Sequence, residues 1–174
     1  MKWLKALLGI IALMAVVYFV GPHPEKPVFD YTIHDIADGT NLDSLVNANE
    51  SKHHIKPNNE AKIIWADSNH QQTDYAIVYL HGFSASQMEG DPVHRNIAKQ
   101  FHCNLYLARL AEHGIDTTDD LQNLTAEKYW ESAKEAYIIG KKLGKKVILM
   151  STSTGGTLSL QLAAAYPEIA GQIL

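Results

Sequence analysis

The residues best suited to chemistry are Val147-Ile148-Leu149-Met150-Ser151-Thr152-Ser153-Thr154-Gly155-Gly156, an apolar run that passes into small and hydroxylated side chains. In the pattern G-x-S-x-G, a sharp strand-to-helix turn carries a serine at its tip, and the residues two before and two after it must be small. Those positions are Ser151 and Gly155, so serine replaces the first glycine. Ser153 is the candidate catalytic nucleophile. Ser151 sits at the end of the apolar run rather than at the tip, which makes it the weaker candidate. A serine hydroxyl needs a base to remove its proton, and acyl transfer needs N–H donors aimed at the developing oxyanion. The Thr154 backbone N–H, at the start of the following helix, is one expected donor. A second is expected from His81-Gly82-Phe83-Ser84, which follows another apolar run, and the Phe83 N–H is assigned to it. Gly82 allows close backbone approach. His81 follows its strand directly and is expected to hold the loop by hydrogen bonding rather than to act as the base. A phosphate-binding loop is excluded, because no lysine follows Gly155-Gly156 as G-x-x-x-x-G-K-[ST] demands.

Positioning these residues requires strands that alternate with helices. Residues 61–66 read as an edge strand, residues 75–80 as a strand buried on both faces, and residues 104–108 and 147–150 as two more. Asp91-Pro92 supplies an N-cap and a first-turn proline for a helix with Val93, Ile97 and Phe101 on one face. Thr125 caps a helix carrying Tyr129, Ala133, Ala136 and Gly140 at helical spacing, ended by Gly144. A helix over 154–166 stops at Pro167, and residues 170–174 open a further strand. A short helix is expected over 42–51. The alternation implies an α/β fold, a mostly parallel sheet with helices on both faces, whose ligand sites lie at the carboxyl ends of the strands. His81-Gly82-Phe83 and Ser153 both fall on that edge. The chain divides into a hydrophobic segment (1–21), a linker and entry segment (22–59) and the α/β part (60–174).

Lys2 and Lys5 precede an uncharged run from Ala6 to Val20, and Pro22, Pro24 and Pro27 follow it. The run reads as a membrane anchor or a signal segment, and the uncleaved anchor is the favoured of the two, since Tyr18, Phe19 and Val20 crowd the place where a cleavage site would need small residues. Its positive end stays in the cytoplasm, so the rest is expected on the extracytoplasmic side. A net charge of −4 carries no basic footprint for nucleic acid. Cys103, the sole cysteine, has no partner for an internal disulfide and is expected as a buried thiol. The nine histidines show no metal-ligand spacing, and His53-His54 read as solvated. No metal and no cofactor are expected.

YLHGFSAS (Tyr79 to Ser86), LARLAEHG (Leu107 to Gly114) and LMSTSTGGTLSLQLAAAYP (Leu149 to Pro167) together resemble the α/β-hydrolase superfamily, and within it the bacterial carboxylesterases and monoacylglycerol lipases. The resemblance runs from about Ala76 to Leu174. It implies Ser153 as nucleophile, Phe83 and Thr154 as oxyanion donors, and lipid or small-molecule esters as substrates. His113 matches the histidine of the family's G-H-G turn, with Glu112 where glycine is usual, and is read with Gly155 as structural support. The family's order is serine, then Asp or Glu, then His, so the other two triad members are expected beyond Leu174. A serine peptidase on the same fold, and an anchored binding protein that keeps the elbow without a triad, are the alternatives.

Overall fold

The computed structural model describes residues 2–23, 25–119 and 121–174, so Pro24, one of the prolines noted above, lies outside the described residues. The elements in chain order are α1 (Lys2–Val20), α2 (Leu42–Glu50), β1 (Lys62–Ile64), β2 (Thr73–Leu80), a 3₁₀ turn (Gln87–Gly90), α3 (Val93–Gln100), β3 (Asn104–Leu107), α4 (Ala126–Leu143), β4 (Gly144–Ser151), α5 (Thr154–Ala165) and β5 (Gly171–Ile173).

The strands form one sheet in the order β1-β3-β2-β4-β5. All neighbours are parallel except β1, which runs antiparallel to β3 at the edge. Side chains alternate across it. Ala76, Val78 and Leu80 of β2, with Val147 and Leu149 of β4, face α4 and α5. Ile77 and Tyr79 of β2 and Leu105 and Leu107 of β3 face the other way, onto Ala98 of α3. This period of two in strands apolar on both faces is what a doubly covered sheet demands. From β2 the chain steps to β3 on one side, then crosses back to β4 on the other. The crossing opens a crevice between the carboxyl ends of β2 and β4, where connections diverge to opposite faces.

One helix, α3, differs in detail from the pattern read in sequence. The N-cap of α3 is Pro92 and makes no side-chain capping bond; Asp91 instead pairs with Arg95 one turn on, at 2.9 Å. Its buried residues are His94 and Ala98, whereas Val93 and Phe101 are exposed. The His94 ring lies edge-on to Tyr79, and its Nε2 is 2.9 Å from the Gln87 carbonyl, so a polar residue takes the inward position. By contrast, the Thr125 hydroxyl accepts from Lys128 N at the start of α4.

From Val28 onward the entry segment is laid along α4. Phe29 and Tyr31 pack on the fully buried Trp130 ring, and Trp130 Nε1 donates to the Asp30 carbonyl at 2.7 Å. Tyr166 Oη donates to the Tyr31 carbonyl at 2.9 Å. Ile33 and Ile36 join the same core. α1 is apolar and exposed along its length, and is long and apolar enough to cross a membrane, a property that an N-terminal signal sequence shares.

Candidate active site

Ser153 stands between β4 and α5 with φ 52° and ψ −117°, a conformation that crowds the Cβ of any L-residue. Its side chain is exposed and makes no capping bond to α5, so the hydroxyl is not spent on the helix it precedes. The turn is this sharp because of what surrounds it. A Cβ on Gly155 would stand 2.2 Å from the Leu80 carbonyl oxygen and 2.6 Å from that of His81, so α5 touches the end of β2 through a residue that must be glycine. Thr152 N donates to Leu80 O at 3.1 Å, tying the other side of the turn to the same strand end. A Cβ on Gly82 would lie 3.4 Å from the Ser153 Cβ and 3.1 Å from Glu89 Oε1, so the loop after β2 passes directly beside the serine. The loop carrying Phe83 and the first turn of α5, which begins at Thr154, thus flank Ser153. Among the described residues, no protein acceptor is paired with either backbone N–H.

The residue two before the serine is Ser151, buried, and its hydroxyl accepts from Ser159 Oγ at 2.9 Å. A hydroxyl in place of glycine is accommodated because α5 offers it a partner; buried and unpaired it would cost about 1–3 kcal/mol.

His81 is fully buried. Its Nδ1 is 2.8 Å from the Gly82 carbonyl, and its Nε2 accepts from Leu110 N at 3.1 Å. An Nε2 that accepts fixes the proton on Nδ1, so both ring nitrogens tie the loop after β2 to the loop after β3. Burial holds its pKa down to about 4, and the ring stays neutral at physiological pH. His113 packs edge-on against His81 and Phe83 and stacks on Tyr129 at 5.4 Å. Its Nδ1 is 2.7 Å from the Ala111 carbonyl; its Nε2 is buried and has no hydrogen-bond partner among the described residues, and burial lowers its pKa too. Glu112, where glycine is usual, adopts φ 61°, which explains that usage, and pairs with Lys128 at 2.9 Å.

Three side chains at the site had no signal in the sequence pattern. Tyr79 Oη lies 3.0 Å from Thr152 Oγ1, and Tyr129 Oη lies 3.0 Å from Thr154 Oγ1, so the residues on each side of Ser153 are pinned by a phenol. Burial raises both phenol pKa values, and both stay protonated. Glu89 Oε2 accepts from Gly82 N at 2.8 Å and fixes the backbone one residue before Phe83. Only the general rule that buried phenols find partners could have anticipated the tyrosines. Glu89 sits on a 3₁₀ turn that no periodicity marks. A hollow of about 490 Å³ between α2 and α4, lined by Glu50, Arg109 and Glu135 among others, includes none of Ser153, Phe83 and Thr154. Among the described residues, no cluster of His, Cys, Asp or Glu could hold a metal ion.

No family model matches the chain. Over 95 residues, 55% of its length, it is 30% identical to a thermostable monoacylglycerol lipase of Bacillus sp. (strain H-257), of which this stretch is 37%. A solved structure described among two metagenome-derived lipolytic enzymes superposes with a TM-score of 0.59 at 20% identity, covering 68% of this chain and 46% of that one. The chain thus spans less than half the length of either relative. Strand order, elbow and sequence likeness converge: the chain has the α/β-hydrolase fold and resembles lipolytic members of that superfamily.

Proposed function

We propose that this chain is the nucleophile-bearing part of a serine hydrolase that cleaves carboxylic esters of the esterase or acylglycerol lipase type. The observation that carries the reading is the backbone of Ser153, φ 52° at a strand-to-helix turn closed by Gly155 against β2. Holding a non-glycine residue there costs about 1–3 kcal/mol, and such strain persists where it aims a side chain at something. The Ser153 Oγ attacks the ester carbonyl, the alcohol leaves, and water then releases the acid from the acyl-enzyme. The N–H groups of Phe83 and Thr154 receive the carbonyl oxygen as it becomes an oxyanion. Hydrogen bonds hold both in place: those of His81 and Glu89 tie down the loop of Phe83, and those of Tyr79 and Tyr129 the turn into α5.

The base that takes the Ser153 proton is not His81, whose ring nitrogens are both engaged. In this reading an Asp or Glu and a His supplied by sequence outside these 174 residues complete the triad. We read α1 as the membrane anchor, with Lys2 and Lys5 on the cytoplasmic side and the hydrolase part on the other.

The test is labelling of the full-length protein with a fluorophosphonate, which reacts only with an activated serine. Labelling at Ser153, abolished by Ser153→Ala, is the expected result. An unlabelled native protein overturns the proposal.

A further inference from the structure

The docked entry segment runs along α4 in a fixed direction. Val28 N donates to Glu127 Oε1 in the first turn of α4, at 3.1 Å. Asp30 follows, its carbonyl accepting from Lys134 Nζ at 2.8 Å; Asp35 then pairs with Lys141 at 3.1 Å and Asp38 with Lys142 at 2.7 Å, in the last turn. The first turns of α4 stand at the carboxyl edge of the sheet, where Tyr129 meets Thr154. Its last turn leads into Gly144, which pairs with Thr73 at the opposite edge. The strap therefore enters at the Ser153 edge and leaves at the far one.

Between the end of α1 and Val28 lie only residues 21–27. At about 3.5 Å per residue, even a fully stretched tether of that length reaches only about 25 Å. The point it holds is the edge that carries the nucleophile. That edge also presents apolar side chains to solvent: Val28 on the entry segment, Phe83 and Met88 after β2, and Val93 at the start of α3 are all exposed. On the opposite edge Phe101 and Tyr75 are exposed too, but charged groups stand beside Tyr75: Lys146 lies over its ring at 5.8 Å, and Lys145 pairs with Asp74 at 2.7 Å.

We propose that α1, the short tether and the docked strap hold the Ser153 edge against the bilayer, so that the site draws its substrate from the membrane as an acyl ester of a bilayer lipid. The inference rests on reading Ser153 as a nucleophile and α1 as membrane-spanning. Its physical basis is local concentration: a site tethered within about 25 Å of the surface meets lipid esters at an effective concentration that a free enzyme does not. An apolar rim against the interface also spares the acyl chain exposure to water on its way to the serine.

Two measurements on the full-length protein in phosphatidylcholine vesicles test this. With Cys103 buried, and any cysteine outside these 174 residues replaced by serine, a fluorophore can be placed alone on Met88→Cys or on Lys146→Cys, both exposed positions at opposite edges. With nitroxide-headgroup lipid in the vesicles, quenching should be several-fold greater at position 88 than at position 146. Equal quenching, the reverse order, or protein that does not stay with the vesicles overturns the proposal, whether or not Ser153 reacts. Next, about twenty Gly/Ser residues inserted after Pro27 should lower hydrolysis of a vesicle-borne monoacylglycerol several-fold. Hydrolysis of soluble p-nitrophenyl acetate should stay the same. An unchanged vesicle rate refutes the membrane-facing geometry, whereas absence of activity on both esters in the native protein, with no fluorophosphonate labelling, refutes the hydrolase reading instead.

Discussion

Replacing Ser153 separately by alanine and by glycine should reverse the usual order of stability of those two residues. The Ser153 side chain is exposed and caps nothing, so either change removes little packing. What differs is the backbone. At φ 52° and ψ −117°, alanine keeps the crowded Cβ that serine has and glycine does not. Relief of that strain is worth about 1–3 kcal/mol. Against it, glycine frees the unfolded chain at a cost of about 0.5–1 kcal/mol. The Ser153→Gly protein should therefore be more stable than Ser153→Ala by roughly 1 kcal/mol, read as the difference between urea midpoints at equal m-values. Elsewhere in a helix or strand, alanine wins by a similar margin. If Ser153→Ala proves as stable as Ser153→Gly or more so, the turn does not hold the strained conformation, and the argument for an aimed nucleophile fails with it.

Gly155→Ala puts a methyl 2.2 Å from the Leu80 carbonyl oxygen, a backbone atom with no rotamer to yield, and should destabilise by at least about 1–3 kcal/mol while abolishing fluorophosphonate labelling. A loss under about 0.5 kcal/mol with labelling intact would contradict the close approach of α5 to β2. Stability should also fall as pH drops. Burial depresses the folded-state pKa of His81 to about 4 and lowers those of His94 and His113. Above about pH 6.5 the three are neutral folded and unfolded, and their contribution is fully present; below it the unfolded chain takes up protons first. For His81 the loss continues down to about pH 4, with a slope of up to about 1.4 kcal/mol per pH unit for each histidine titrating. Urea midpoints that stay level from pH 7 to pH 5 would refute this. Trp130→Ala should cost about 3–5 kcal/mol, because the indole is fully buried between the entry segment and Tyr166. It should also open residues 28–41 to limited proteolysis under native conditions; resistance equal to the native protein would mean that the strap is held by its ion pairs instead.

The sequence by itself determined the strands, the order of strands and helices, and the turn at Ser153. Each of these is encoded locally. Continuous apolar runs such as Ala76 to Leu80 make sense only as strands covered on both faces, and the small residues at 151 and 155 fit only a turn pressed against its neighbour. The orientation of α3 was not legible, because its 93/97/101 spacing favours a face that loses to His94 once Tyr79 and the Gln87 carbonyl receive the ring. Glu89 and the two tyrosines could not be assigned to the site either, since their partners Gly82, Thr152 and Thr154 lie on other elements. The entry segment is the clearest case. Its aspartates and irregular spacing read as linker, yet Phe29, Ile33 and Ile36 pack against the core and the half-exposed Tyr31 lies on the Trp130 ring, because Trp130 and Tyr166, about a hundred residues away, form the groove that receives them. Periodicity reports what a segment buries against its own element, whereas a docked strap has no period of its own and takes its register from the surface beneath it. Tertiary structure alone decided that this surface begins at the edge where Ser153 stands.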